Sequence, residues 1–174
     1  GATESFESLA ADTTSQQLAG DLLVGTTYHV CLMATDAAGN SAQAAAYSFT
    51  VDTPVPFEFT VRTTGVNETY TLPLVSGYNY NFQVDWGDSS SDTITAYDQA
   101  EIEHTYATAG DYTISITGTL EALYSVGDFQ NPPKIISVSS LGKVGWKSLE
   151  GAFTNAENMT TFSAGDTDTS KVTR

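Results

Sequence analysis

The sequence predicts a mainly β protein, in which tandem β-sandwich modules lead into the start of a repeat-like segment. Short runs that alternate apolar and polar residues recur between residues 22 and 118, with turn-forming residues between them. Strands at intervals of about 8 to 12 residues are typical of a sandwich. The 9 tyrosines and the abundant Thr and Val favour pleated, half-buried surfaces over helices. A different pattern follows Pro132 and Pro133.

The chain is strongly acidic. Among its 174 residues, 21 are Asp or Glu and 6 are Lys or Arg, a formal net charge of −15. Such a chain repels phosphate backbones and anionic headgroups, so we expect no nucleic-acid partner. No apolar run has the length of a membrane span, so we expect no membrane insertion. The charge is typical of a solvated acidic surface, with divalent-cation binding as the alternative.

The single cysteine, Cys31, excludes an intrachain disulfide framework and a cysteine-based zinc site. It lies in an alternating apolar run, so we expect a small buried hydrophobe. The first residues lack the features of a signal peptide. The chain starts within a domain and stops at Arg174 within a repeat-like segment, so we expect a piece of a longer protein.

Residues 22–51 predict three strands. The run 27–34 alternates with the period of a strand, and 46–51 is the return strand. Between them, Gly39 and Asn40 offer the positive φ angles that a hairpin turn needs. Tyr28 follows a short turn at the start of its strand. This position predicts a tyrosine corner, in which the phenol bonds back to the preceding turn.

The spacing of Leu23, Gly25, Thr26 and Tyr28, followed by the segment 34–40, resembles the second half of a fibronectin type III or bacterial immunoglobulin-like module. We therefore interpret 1–53 as a partial module. A whole module has about 90 to 100 residues, so its first strands are missing. Either the edge is open, or residues 1–14 and a partner chain cover it. An oligomer is a further hypothesis, in which strands from neighbouring chains complete the module.

Residues 54–56 form a predicted linker, which two prolines stiffen. The second module spans 57–131. Its predicted strands are 57–62, 68–74, 78–86, 93–97, 101–106 and 111–118.

Two segments of the second module, Val-Asp-Trp-Gly-Asp at 84–88 and His-Thr-Tyr to Gly-Asp-Tyr at 104–112, resemble the signature of the polycystic-kidney-disease (PKD) type immunoglobulin-like fold. The sequence departs at Ser89 and Ser90, where that family more often continues with glycine. Trp86 is expected to fill the sandwich centre, and Tyr106 and Tyr112 are expected to pack edge-on into the sandwich. Asp88 is expected to accept backbone N–H bonds in its turn. The alternative is that Trp86 and nearby tyrosines form an exposed ligand-stacking platform.

Residues 132–174 resemble the first unit of a BspA-like leucine-rich repeat array. They predict a strand at 134–138, a short helix at 148–153 and a strand at 158–162. An Ala-Phe pair, here at 152–153, and an Asp-Thr-Ser-x-Val-Thr segment, here at 168–173, recur in that family. Met159 stands in the usual leucine position.

The sequence offers little for catalysis, and we expect no enzyme. Its two histidines, His29 and His104, are interpreted as structural. No nucleophile-elbow, phosphate-loop or histidine-rich metal motif occurs. Asp85 and Asp88 form one of many carboxylate pairs. A glycosidase would need such a pair about 5 to 10 Å apart in a cleft.

Calcium is the one cofactor that the sequence suggests. Asp36, Asn40 and Asp52 offer oxygen ligands near the module boundary. A second set comprises Asp85, Asp88 and Asp92. Neither set has the spacing of a calcium loop, so ordinary turn formation is the alternative.

The resemblances imply a secreted or cell-surface protein that binds a protein or glycan on a host, prey or matrix surface. The sandwich modules would present the repeat array to that partner. Two alternatives are a purely structural stalk and an accessory region of a secreted polysaccharide-degrading enzyme.

Overall fold

The computed structural model describes residues 22–30, 33–43 and 46–173, and the chain divides into two units between Thr53 and Pro54. Within these residues the regular elements are β-strands and two short 3₁₀ turns, Ala100–Ile102 and Pro132–Lys134. The protein is therefore mainly β, as the sequence predicts. The described residues contain no helix that could cross a membrane.

The first unit contains four short strands within the described residues: β1 Thr27–Val30, β2 Met33–Thr35, β3 Ser41–Gln43 and β4 Tyr47–Thr50. β1 pairs antiparallel with β4, and β2 with β3. The sequence predicts three strands here, and β1 and the first two residues of β2 lie within the predicted run 27–34. Cys31, the expected buried hydrophobe, lies between them and outside the described residues.

The tyrosine corner is confirmed. The backbone N–H of Leu23 donates a hydrogen bond to the Tyr28 hydroxyl at 2.7 Å. The Tyr28 ring also stacks on Phe49 across the β1–β4 pair, with 5.6 Å between the ring centroids. In the β2–β3 turn, Gly39 has a φ of +87° but Asn40 has no positive φ, so only the glycine has the predicted role.

The second unit contains eight strands, which form two sheets. They are β5 Phe57–Thr63, β6 Glu68–Thr71, β7 Tyr80–Asp85, β8 Ser91–Ile94, β9 Glu103–Tyr106, β10 Gly110–Leu120, β11 Ile135–Ser140 and β12 Thr161–Phe162. Six form one sheet in the order β12-β11-β5-β10-β7-β8, and β6 pairs with β9. The pairs are antiparallel except β11–β12, which is parallel.

The core lies between these two sheets, because successive side chains of a strand point to opposite faces. In β5 and β7 every second residue is buried. From the smaller sheet, Tyr70 packs against Phe59 with 5.9 Å between ring centroids, and Tyr106 is fully buried. This face-to-face packing is the arrangement of a β-sandwich. Burial of each large apolar side chain contributes about 1.5–3 kcal/mol.

The chain after the sandwich shares the same core. β11 extends the large sheet by pairing with β5, and its other edge pairs with β12. Trp146 is fully buried and meets Phe57 edge to face at 5.2 Å. Its indole N–H donates to the Leu141 carbonyl at 2.7 Å. Residues 132–173 therefore pack onto the sandwich as part of one hydrophobic cluster.

The prediction of a short helix at 148–153 is wrong, because residues 150–155 form consecutive turns. Gly151 has a φ of +65°, which interrupts helical geometry. The Ser125 hydroxyl lies 2.8 Å from the Gly151 carbonyl oxygen and 3.0 Å from that of Ala152. A tertiary contact thus satisfies carbonyls that a helix would use internally.

Candidate functional site

The Trp-Gly-Asp segment forms the end of β7 and the turn into β8. Trp86 is fully buried. Its indole N–H donates to Asp92 Oδ2 at 2.8 Å, and its carbonyl accepts the Tyr106 hydroxyl at 3.0 Å. Trp86 fills the sandwich interior, as the structural interpretation predicts. The alternative of Trp86 as an exposed ligand-stacking platform is therefore wrong.

The turn itself depends on Gly87. Its φ is +83°, and a Cβ added there would lie 2.5 Å from the Thr113 carbonyl oxygen on β10. Asp88 Oδ1 accepts the backbone N–H of Ser90 at 3.0 Å, the role predicted for this carboxylate. Ser89 has a φ of +76°, a backbone conformation that glycine adopts at less cost than serine.

His104 lies under this turn. Its Nε2 is 2.8 Å from Asp88 Oδ2, and its ring stacks on Trp86 with 4.9 Å between centroids. Ser90 Oγ also approaches Nε2, at 3.4 Å. A Ser-His-Asp triad needs the serine and the carboxylate on opposite ring nitrogens. Here both contact the same nitrogen, so the arrangement differs from that of a triad.

The electrostatics of the turn favour an ionised Asp88. Burial raises the pKa of this carboxyl, but hydrogen bonds from Ser90 and the contact with His104 outweigh burial and hold the pKa below its usual value. The carboxylate thus has three partners in the fold: the Ser90 backbone, the Ser90 hydroxyl and the His104 ring. Its charge stabilises the turn.

Tyr106 and Tyr112 stack with 4.1 Å between their ring centroids and planes inclined by 22°. The two rings overlap face to face, and Tyr106 also meets the His104 ring edge to face at 4.7 Å, so the predicted edge-on packing of both tyrosines into the sandwich stays a prediction. The Tyr112 hydroxyl donates to the Thr108 carbonyl at 2.8 Å. Burial raises the pKa of Tyr106 well above its usual value. Both rings therefore contribute to the packing of the sandwich.

Of the predicted calcium ligands, Asp36 and Asn40 come together. Asp36 Oδ1 accepts the backbone N–H groups of Ala38 and Asn40, each at 2.9 Å. Asp36 Oδ2 accepts the Asn40 side-chain N–H at 2.9 Å, and these bonds lower the pKa of Asp36. Asp52 is exposed, and no side-chain contact joins it to the other two.

The second acidic set is also engaged in the fold. Asp85 Oδ1 accepts the Gly87 backbone N–H at 2.9 Å, and Asp92 accepts the Trp86 indole. Within the described parts of the chain, no three His, Cys, Asp or Glu side chains form a group that could hold a metal ion. Calcium binding stays a prediction. His29, expected to be structural, is exposed on β1 opposite Ser48.

An ionic contact between a buried carboxylate and a half-exposed lysine joins the sandwich to the following segment. Glu121 is 7 % exposed, and its carboxylate accepts the Asn79 backbone N–H at 2.9 Å. Lys147 Nζ lies 2.6 Å from Glu121 Oε1. The backbone N–H groups of Lys147 and Ser148 donate to the Glu121 carbonyl. Sequence reasoning missed this contact, because no local pattern links 79, 121 and 147.

Beside this contact lies a half-open cavity of about 270 Å³, which we call the junction pocket. Three segments that are distant in sequence line it: Val75 and Tyr78, then Ala122, Leu123 and Tyr124, then Ser148 and Glu150. An isolated parallel bridge between Ala122 and Ser148 holds two of the segments together. The pocket combines an aliphatic floor, two tyrosines and one carboxylate.

Tyr124 is the exposed aromatic side chain of the pocket, with 41 % of its surface accessible. Its backbone N–H donates to the Pro73 carbonyl at 2.8 Å. Its ring lies over Gly151, where an added Cβ would come within 3.2 Å of Cε2. Val126 and Phe129, both exposed, follow it along the chain. The ring thus packs over Gly151 while part of it faces solvent.

Comparison with family models, with curated proteins and with solved structures finds no match for this chain. Its function is therefore inferred from the residues and geometry described above.

Proposed function

We propose that this chain belongs to a cell-surface or secreted recognition protein that contacts a protein or glycan on another surface. In this proposal the strands of the first unit belong to a fibronectin- or immunoglobulin-like module, and the sandwich of the second unit is PKD-like. The segment after the sandwich is the first coil of a BspA-like leucine-rich repeat array. The chain is non-catalytic.

The observation that carries the proposal is the continuation of the sandwich sheet into the parallel pair β11–β12. Antiparallel neighbours connect through hairpins, whereas parallel neighbours need a crossover connection, here residues 141–160. A strand followed by a compact turn region and a parallel strand is the repeating unit of a solenoid. Coils stacked in this way create an extended surface for a partner.

The shared core supports a role in presentation. Trp146 and Phe57 pack together, and Glu121 binds Lys147, so the parallel pair is attached to the sandwich by apolar and ionic contacts. A recognition surface held on a rigid base loses little conformational entropy on binding.

The arrangement of the polar groups supports a non-catalytic role. His104, Asp88 and Ser90 bind one another and the turn backbone, and Asp85 and Asp92 each accept a hydrogen bond from the same turn. These groups therefore stabilise the Trp-Gly-Asp turn.

An adhesion assay with the full chain tests this function. Beads coated with the chain are passed in a flow cell over surfaces that carry mucin glycans, matrix proteins or bare polymer. We expect retention on at least one glycan or protein surface above the bare polymer and above beads coated with the heat-unfolded chain. Equal, background retention on every surface would contradict recognition and favour the structural stalk.

A further inference from the structure

We propose that the junction pocket is a binding site for one pyranose ring of an uncharged saccharide. This inference rests on the proposed recognition function and assigns it a ligand class and a location. The pocket volume of about 270 Å³ lies just below the range of roughly 300–1,000 Å³ typical of small-molecule sites. It therefore suits a single sugar ring better than an oligosaccharide.

The tyrosine ring supplies the first part of the recognition. The face of a pyranose that carries axial C–H groups is apolar and slightly positive, whereas the face of an aromatic ring is negative. Tyr124 offers such a ring, partly exposed and held against Gly151. Since the ring already packs over Gly151, stacking on it costs less side-chain entropy than stacking on a fully exposed ring.

Polar groups around the ring supply the second part. The side chains of Glu150, Tyr78 and Tyr124 have no hydrogen bond or ion pair with another described residue. Buried Ser148, 4 % exposed, accepts the Glu150 backbone N–H at 3.2 Å and keeps its own proton to donate. The rim therefore offers both donors and acceptors, which adjacent sugar hydroxyls need.

A second groove illustrates the contrast. It is larger, about 560 Å³, and lies between β5 and the start of β11. Its Arg62 forms a two-point ion pair with Asp111, and its Lys134 pairs with Glu68. The Asn158 side chain already donates to the Pro133 carbonyl at 2.8 Å. Because these polar groups bind one another, the junction pocket is the better candidate for a ligand.

The negative charge of the chain disfavours acidic saccharides and so favours uncharged ones. A net charge of −15 repels uronic and sialic acids, and Glu150 adds a carboxylate at the rim itself. An alkylammonium group is the competing small cation, since it also seeks aromatic faces and a carboxylate. The hydroxyl donors of Ser148 and the two tyrosines favour a neutral polyol, which can accept their protons.

Nuclear magnetic resonance with the full chain labelled on tyrosine tests the pocket. The probes are the methyl glycosides of glucose, galactose, mannose and N-acetylglucosamine, with methyl glucuronide and tetramethylammonium as charged comparisons. We expect at least one neutral glycoside to shift the Tyr78 and Tyr124 signals with a Kd of about 1 mM, the weak range typical of a single small contact. We expect both charged probes to cause smaller shifts.

Matched variants locate the binding. Tyr124→Ala should weaken it at least about tenfold, the loss of one stacking contact. Glu150→Gln should weaken it without disturbing the fold, since it keeps the size of the side chain. Tyr97→Ala is the control, because Tyr97 is equally exposed at 43 % and lies outside the pocket. Equal loss in Tyr124→Ala and Tyr97→Ala would overturn the assignment.

The remaining outcomes separate this inference from the proposed function. If no neutral glycoside shifts the pocket signals, or tetramethylammonium binds more tightly, the saccharide assignment is wrong. If beads carrying Tyr124→Ala adhere as well as the wild type, recognition stands and the pocket does not contribute. If the pocket binds a glycoside but wild-type beads adhere to no surface, the pocket stands and the adhesion function is wrong.

Discussion

Replacement of Gly87 by alanine probes the central turn of the sandwich, and Gly145 provides a matched control. The two glycines have φ angles of +83° and +84°. A Cβ on Gly87 would meet the Thr113 backbone oxygen at 2.5 Å and its nitrogen at 2.9 Å, whereas a Cβ on Gly145 would have no atom within 4 Å. The pair thus separates backbone strain, which is shared, from a clash that only Gly87→Ala creates.

The expected magnitudes follow from this difference. A left-handed backbone costs an alanine about 1–2 kcal/mol relative to glycine, so both variants lose about that much. The clash at position 87 is with the backbone of β10, so the turn must move away from the sheet. Forced displacement of a packed element costs about 1–3 kcal/mol more. We therefore expect Gly87→Ala to be less stable than Gly145→Ala by about 1–3 kcal/mol.

Urea unfolding followed by tryptophan fluorescence measures both variants. Trp86 and Trp146 are buried, so their emission should shift to longer wavelength when the core opens. A comparison of midpoints is valid if the dependence on urea is the same for both proteins. Equal destabilisation by the two alanines would contradict the close packing of the Trp-Gly-Asp turn on β10, and with it the interpretation of this segment as a sandwich fingerprint.

Three further predictions concern the Trp-Gly-Asp turn and the contacts of Glu121. Ser89→Gly should stabilise the unit by about 0.5–1 kcal/mol in the same urea assay, because it relieves a positive φ at a small entropic cost; a destabilised variant would contradict this. Because the pKa of Asp88 is lowered in the fold, its contribution is present above its unfolded pKa of about 3.9 and is lost as the pH falls through the folded pKa. The difference in stability between wild type and Asp88→Asn should therefore be larger at pH 7 than at pH 3, and a constant difference would refute this linkage. Glu121→Ala should cost about 1–3 kcal/mol, because it leaves the part-buried Asn79 backbone N–H without its partner. Glu150→Ala, at an exposed site, should cost less than about 0.5 kcal/mol, and thermal unfolding measures both variants.

Local patterns in the sequence were sufficient for the strands and the sandwich interior. Strict alternation places β5 and β7 with one buried face, because the side-chain period of a strand is two. Trp86 and Tyr28 also occupy their predicted places. The position of each is determined by residues nearby in the chain. In these regions propensity, turn residues and burial all agree.

The sequence was less informative where contacts between distant segments determine the local structure. β8 begins at Ser91, two residues before the predicted strand 93–97, because Ser91 and Asp92 pair with β7. The predicted helix near Gly151 is replaced by turns that Ser125 supports from a distant part of the chain. The junction pocket could not be predicted, since its walls come from three separate segments. The pattern of apolar and polar residues within one segment does not indicate which other segment lies beside it.

A recognition array on a rigid base requires the sandwich and the β11–β12 segment to form one structural unit. Fluorotryptophan labelling gives one ¹⁹F signal from Trp86 in the sandwich and one from Trp146 in the following segment, and Trp146→Phe assigns them. Because both side chains belong to one core cluster, we expect the two signals to lose native intensity at the same urea concentration. Loss of the Trp146 signal at clearly lower urea, with Trp86 still native, would show an independent segment and contradict a recognition array built on a rigid base.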